Sequence, residues 1–435
     1  MNQFLNTKIT YITKINYLLI AILPIALLTG NLIVNSTVIL ICIFYLIDLF
    51  QKRMNYFLKD INFYFLLTIH FYIILNSIFI SQTEESFVKA LSFIRFTILA
   101  YAISFYFNFF KKEFIKIWFI LFLIVSFDIV FEYIVGNNIL GFKSNYAGRI
   151  ASFTGDELQI GGYYFGFIFL SLSFLSNDKK SWFIFFSIAF FLIALIIGER
   201  SNFLKIFFMF LFFFIFFAKI DFLKKFLLIA LMFIVSVYVI NKNTVLQSKY
   251  KYHIFQTNFS KYFEKVKINY LPGDKRARYI IFYTDKFKSE TKLKDVVKEN
   301  KHLSHYYAAI LIFKENYIFG SGFKTFRTES FDKKYIEKDL HGAGNHPHQL
   351  HFEILSELGI VGYTLILLNL LYILFRKYKE NKNFLEKSSM LFIIASLVPL
   401  LPSGSFFTTF VATVFFINYS FLLKTYNFDR KKIFS

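Results

Sequence analysis

This chain is poor in the residues that build most enzyme sites. Cys42 is its only cysteine, which excludes a disulfide framework and a thiol metal site. Charged residues make up only 18% of the chain, where a soluble domain carries about a quarter. There is no P-loop and no G-x-S-x-G, so neither a nucleotide-phosphate cradle nor a hydrolase nucleophile elbow is on offer. No internal repeat is visible, nor any low-complexity tract beyond an abundance of Phe. The first apolar run lacks a small-residue cleavage site and a second run follows at once, so it reads as a membrane segment and not a leader.

What is present is apolar. Hydrophobic residues are 56% of the 435, and the mean hydropathy is +0.52. Several runs of roughly 18 to 20 residues lack charge, which is the length a helix needs to cross a bilayer core. The expected fold is an all-α polytopic membrane protein with about 12 transmembrane helices, at roughly 15–30, 32–50, 62–80, 90–110, 114–135, 161–176, 181–197, 201–218, 222–240, 354–375, 388–402 and 404–423. The chain divides into N-terminal helices (1–185), a core (186–376) and C-terminal helices with a tail (377–435). Between 241 and 353 lies a long polar loop, expected to be mainly helical. Its Asp285 to Asn300 stretch has the composition of an exposed helix, and an apolar helical pattern runs from Tyr306 to Asn316.

The net charge of +21 raises the question of nucleic acid. Two other causes account for it. Abundant Phe, Lys, Ile, Asn and Tyr suggest an AT-rich coding sequence, and cytoplasmic loops of membrane proteins collect Lys and Arg. No nucleic-acid partner is therefore expected. Basic residues fall in alternate loops: Lys52 and Lys59, then Lys111 and Lys112, Lys179 and Lys180, Lys224 and Lys225, Arg376 and Lys377, and the tail. The positive-inside rule then puts both termini in the cytoplasm and the 241–353 loop outside.

Candidate chemistry gathers where that loop meets the next helix. His346, His348 and His351 fall within six residues, followed by Gly359 and Gly362. The histidine spacings of two and three, interrupted by Pro347, do not match the i, i+4 pair of a helical zinc site, so no metal is expected. Pro347 suits a first helical position. His348 would then sit in the first turn, kept neutral by the helix dipole and able to act as a base. The free N–H groups of that turn suit a phosphate.

Other candidates lie on the same expected face. Gly198 to Asn202 forms a tight turn in which Arg200 either pairs with Glu199 in water or grips a phosphate with its planar fork. Arg95 lies inside the fourth span, either snorkelling or facing a pathway. Arg149 stands in the loop after the fifth span, near Asp156 and Glu157, which are adjacent and so do not share a helix face. The lone G-x-G at Gly320 to Gly322 has no preceding strand and no third glycine, which rules out a dinucleotide fold.

Taken together, these residues resemble the bacterial O-antigen ligase and polymerase family of membrane glycan enzymes. His348, Gln349, nine residues, Gly359 and Gly362 fit that family's H-[N/S/Q]-x9-G-x-x-G, and His346-Pro347 is similar to its H-P-H-N form. Lys314 to Arg327 resembles k-x-N-P-x-x-G-x-G-x-x-x-F-R, with Tyr317 in place of Pro. The resemblance is strongest over about 190–375. It implies a GT-C-like, metal-independent inverting glycosyltransferase without a cofactor, in the bacterial inner membrane with its loop in the periplasm. The donor it implies is an undecaprenyl-pyrophosphate-linked glycan, and the acceptor lipid A–core or another lipid-linked glycan. His348 would activate the acceptor hydroxyl, Arg200 would bind the pyrophosphate, and Arg95, Arg149, Arg278, His305, Arg327, His346 and Gln349 would contact substrate. The family's ligases have a second arginine upstream of the G-x-G. The matching stretch here is His302 to Tyr306, with Arg276 and Arg278 further upstream. His305-Tyr306 is similar to a pair recurring among the polymerases. A transporter for the same lipid-linked sugar, and a purely structural membrane protein, are the alternatives from other classes.

Overall fold

A computed structural model describes residues 10–52, 54–145, 148–155, 159–176, 180–218, 221–243, 246–247, 250, 266–268, 278–280, 301–332, 335, 343–380 and 383–423. In chain order the long helices are α1 (Tyr11–Ala26), α2 (Asn31–Gln51), α3 (Ile61–Asn76), α4 (Glu84–Val135), α5 (Ile160–Leu172), α6 (Lys180–Ile196), α7 (Arg200–Phe212), α8 (Phe222–Lys242), α9 (Lys301–Glu315), α10 (Leu350–Lys379), α11 (Phe384–Ser396) and α12 (Thr409–Ser420). Among the described residues, seven segments are long and apolar enough to cross a membrane, two of them the halves of α4 on either side of its bend. Tyr11–Ala26, Ile160–Leu172, Ser181–Ile196 and Thr409–Ser420 are apolar but shorter. This is a multi-pass helical membrane protein.

The expected spans at 90–110 and 114–135 are one helical run, α4, that breaks direction at Phe110 (φ −122°, ψ 28°). A straight helix of 52 residues would be about two and a half times as long as a bilayer core is thick. The last expected span, 404–423, is shortened: α12 starts only at Thr409, and residues 397–408 run in irregular backbone. The all-α expectation has one exception in the long loop, an antiparallel ladder of Val266–Ile268 (β1) with Arg278–Ile280 (β2). The Asp285 to Asn300 stretch lies outside the described residues.

Local sequence sets the helix starts. Thr10 and Thr13 form a capping box for α1. Asp60 caps α3 by accepting from the Asn62 N–H at 3.2 Å. Asn383 and Glu386 form a second capping box at α11. Helices in lipid gain little from the hydrophobic effect, so polar ties matter between them. Asp48 of α2 accepts from Thr13 of α1 at 3.0 Å and from Tyr106 of α4 at 2.5 Å. Asp60 accepts from Tyr101 of α4 at 3.2 Å and from Arg376 of α10 at 3.1 Å. Between these ties the core is aromatic, with Trp118, Phe122, Tyr163, Tyr164 and Phe167 fully buried.

α10 is broken. Gly359 has φ 66° and ψ −169° inside it, a conformation only glycine adopts without strain. The break frees backbone groups that a bilayer cannot hydrate, and residues 317–323 satisfy them. The Ser321 N–H donates to the Ser356 carbonyl (2.9 Å) and that of Gly322 to Glu357 (3.0 Å), while the N–H groups of Ile360 and Val361 donate to Tyr317 (2.9 Å) and Ile318 (3.2 Å). The Tyr72 hydroxyl of α3 donates to the Leu358 carbonyl at 2.6 Å. Asn76 then pins the inserted segment from both sides, donating to the Phe319 carbonyl at 2.7 Å and accepting from the Phe323 N–H at 2.7 Å. The G-x-G is thus a backbone plug for the broken helix. A side chain at Gly320 would run into the Glu357 backbone.

Candidate active site

The histidines meet at the start of α10. Its first helical residue is Leu350, and Gln349 is the cap, whose side-chain oxygen accepts from the Phe352 N–H at 3.0 Å. This corrects the expectation that Pro347 opens the helix with His348 in its first turn. The Gln349 amide supplies the capping oxygen two residues later, so His348 lies just outside the helix. It has φ 60°, a left-handed conformation that a non-glycine residue holds only under tertiary constraint. One such constraint is the Ser403 N–H, which donates to the His348 carbonyl at 2.7 Å.

The His348 ring is surrounded by imidazoles. Its centroid is 4.0 Å from His346, 5.2 Å from His302 and 5.3 Å from His305. The last two come from α9. Among the described residues, no group of three or more His, Cys, Asp or Glu side chains is arranged to hold a metal ion. Burial pushes the His346 imidazole down to about 4, with the positive Lys324, the neighbouring His305 and His302, and Arg327 adding to the effect. Among the described residues its buried Nε2 has no hydrogen-bond partner. His351 is separate: its Nε2 donates to the Leu397 carbonyl at 2.9 Å, and the Tyr363 hydroxyl donates to its Nδ1 at 3.1 Å.

Below the imidazoles lies a buried charge cluster. Lys324 follows the G-x-G and donates through Nζ to the Ser405 hydroxyl at 2.9 Å, with Glu353 at 3.9 Å. Ser405 and the Phe406 N–H both donate to the Glu353 carboxylate. Glu357, one turn further along α10, accepts from the backbone N–H of Lys324 at 3.0 Å and of Phe326 at 3.3 Å. Two carboxylates from α10 therefore clamp both the 322–326 segment and the irregular 403–406 segment.

A cavity of about 290 Å³ opens beside His346. The 403–405 segment and His346 form one wall, and Asn202 and Lys205 of α7 another. Arg200 is the first residue of α7 and does not line it. Its guanidinium has Arg149 and Tyr250 as electrostatic neighbours, and it has no hydrogen bond or ion pair among the described residues. Arg149 is brought there because the Ile150 N–H donates to the Ile197 carbonyl at 3.1 Å. Burial raises the Glu199 carboxyl above its ordinary range, against the Asn202 amide donating to it at 2.7 Å.

Not every candidate joins this site. Arg95 is committed to packing: it donates to the Ser92 carbonyl at 2.9 Å and to Asn35 at 3.1 Å, and stacks on Phe96. Arg327 reaches across to Glu85 at 3.0 Å while remaining in electrostatic range of His346. The side chain of Arg278, together with Arg276, Asp156 and Glu157, lies outside the described residues. Lys205, Lys324, Glu353 and Glu357 were not singled out from the sequence. Lys205 had a legible signal, since it is a lone charge inside an apolar run.

Fold and site together define a membrane protein in which a cavity between α7 and the 403–405 segment opens beside two histidine-bearing segments. Residues 183–367 match the family model described as O-antigen ligase, so this segment is similar to that family. No curated protein matches the chain.

Proposed function

We propose that the protein transfers a glycan from an undecaprenyl-pyrophosphate carrier to lipid A–core on the periplasmic side of the inner membrane, as an O-antigen ligase. The reading rests chiefly on one arrangement. His346 lines a cavity whose other wall is α7, the His348 ring lies 4.0 Å from the His346 ring, and both histidines and α7 fall within the family-matched residues.

In this reading His348 takes the proton of the acceptor hydroxyl as it attacks the anomeric carbon, and the pyrophosphate leaves with the bonding pair. His346 is too weak a base near neutral pH to compete, because burial holds it at about 4. It stands as a neutral imidazole on the cavity wall beside His348. Arg200, with Arg149 beside it, binds the departing pyrophosphate through its fork of donors. Inversion and metal independence follow from a single displacement driven by a base and a cation pair.

A second reading, polymerisation of lipid-linked repeats, is favoured by the placement of His305 and Tyr306. His305 packs against His348 and Tyr306 against Phe352 of α10. A lipopolysaccharide gel of a deletion strain separates the two. Loss of all long chains from lipid A with accumulation of polymerised lipid-linked glycan supports the ligase; survival of a single capped repeat supports the polymerase. An unchanged ladder would remove both. Transfer between purified donor and acceptor distinguishes either enzyme from a transporter, which would only move donor across a bilayer.

A further inference from the structure

We propose that Lys205 is an anion-binding residue of the α7 cavity and that its ligand is the diphosphate of the lipid-linked donor. The donor's identity rests on the proposed function; the need for an anion does not. Lys205 is only 4% exposed, yet it lines the cavity alongside Asn202, His346 and Ser405. Among the described residues its ammonium has no hydrogen bond and no ion pair. Its one close partner is the face of Phe165, with Nζ 5.6 Å from the ring centroid.

A buried charge is normally paired, because desolvation is costly and a ring face recovers only part of it. The carboxylate acting on Lys205 electrostatically is Glu199, which stands beyond ion-pair distance. Asn202 holds that carboxylate at 2.7 Å, and it lies hard against Gly161. The opposite wall offers Ser403, Gly404 and Ser405, which carry no charge. The missing counter-charge must therefore come from a ligand. An ammonium presents three donors as a compact point charge, which suits the oxygens of a phosphate. Asn202 precedes Lys205 by three residues and so shares its helix face. Arg200 lies five residues before it, a rise of about 7.5 Å along α7. One helix would thus carry cations at its start and one and a half turns in. Arg200 lies outside the cavity and about 140° away from Lys205 around the helix, so Lys205 is the cation that α7 presents to the cavity itself.

The carboxylate of an acidic sugar would satisfy the same ammonium, so the probe must lack sugar. Full-length protein in lipid nanodiscs is titrated with undecaprenyl diphosphate, comparing wild type with Lys205→Met and Lys205→Arg. Loss of one charge-assisted contact predicts binding about tenfold or more weaker in Lys205→Met and near wild type in Lys205→Arg. Lys205→Met should also melt no lower than wild type without ligand, since it removes an unpaired buried charge. Equal affinity of wild type and Lys205→Met would overturn the assignment while leaving the proposed function standing. Failure of the wild type to bind the probe would overturn both. Should Lys205→Met not accumulate, Lys205→Gln replaces it with the same expected loss.

Discussion

At the scale of single residues, two adjacent histidines have different work. His348→Ala should lower transfer by about 10²- to 10⁴-fold, the range for removing a general base, with membrane insertion intact by protease protection. A wild-type rate in that variant would exclude the role. His346 makes a separate prediction about pH. It titrates at about 4 in the fold against its ordinary 6.5, so the unfolded chain takes up the proton first. Its contribution to stability is complete above about 6.5 and is lost as pH falls toward 4. His346→Asn should flatten that part of the melting temperature profile in detergent; a profile unchanged between pH 6.5 and 4.5 would contradict it. The sequence displayed His346, His348 and Arg200 openly, because they sit in recognisable local patterns. It hid the role of Lys324 and the approach of His302 to His348, which are fixed by contacts across the loop and not by any spacing.

At the scale of elements, the break in α10 governs the site. Gly359→Ala would force a side chain into a left-handed position, at about 1–2 kcal/mol, and drive it against the Ile318 carbonyl. Asn76→Leu would strip a partner from both the Phe319 carbonyl and the Phe323 N–H, at about 1–3 kcal/mol for each buried group left unmade. Both variants should melt well below wild type, and both should lose transfer although neither residue touches the cavity. Full activity in Asn76→Leu would show that the plug does not position the imidazoles. The glycine spacing was legible in the sequence as a motif. Its meaning was not, since the pairing joins segments from opposite ends of a long loop and from α3. The start of α10 was misplaced for a more local reason: proline at a first helical position is a common signal, and here a glutamine cap overrides it.

At the scale of the molecule, the lone cysteine makes topology measurable. Cys42 is 6% exposed and its thiol donates to the Arg95 carbonyl at 3.2 Å, so it should not react with a bulky maleimide. Asn345→Cys and Glu380→Cys place single thiols at exposed positions near the two ends of α10. In intact inner-membrane spheroplasts a membrane-impermeant maleimide should label the first and spare the second. The reverse pattern would invert the protein and remove His348 from the periplasm. Membrane character itself was plain from composition, because hydrophobic length is a local property. The shortening of the last span was not, since Phe406 and Phe407 read as the start of its apolar run, while Glu353 and the His348 carbonyl hold residues 403–406 in irregular backbone.

The plugged break also fixes the order in which the chain can be assembled. Tyr72 and Asn76 leave the ribosome first, residues 317–323 next, and the broken helix last. Each carbonyl freed at the break in α10 therefore has a partner that precedes it in the chain. A circular permutant that synthesised α10 ahead of those partners would have to insert bare backbone into hydrocarbon. The linear order of the gene is thus part of what lets this site be built.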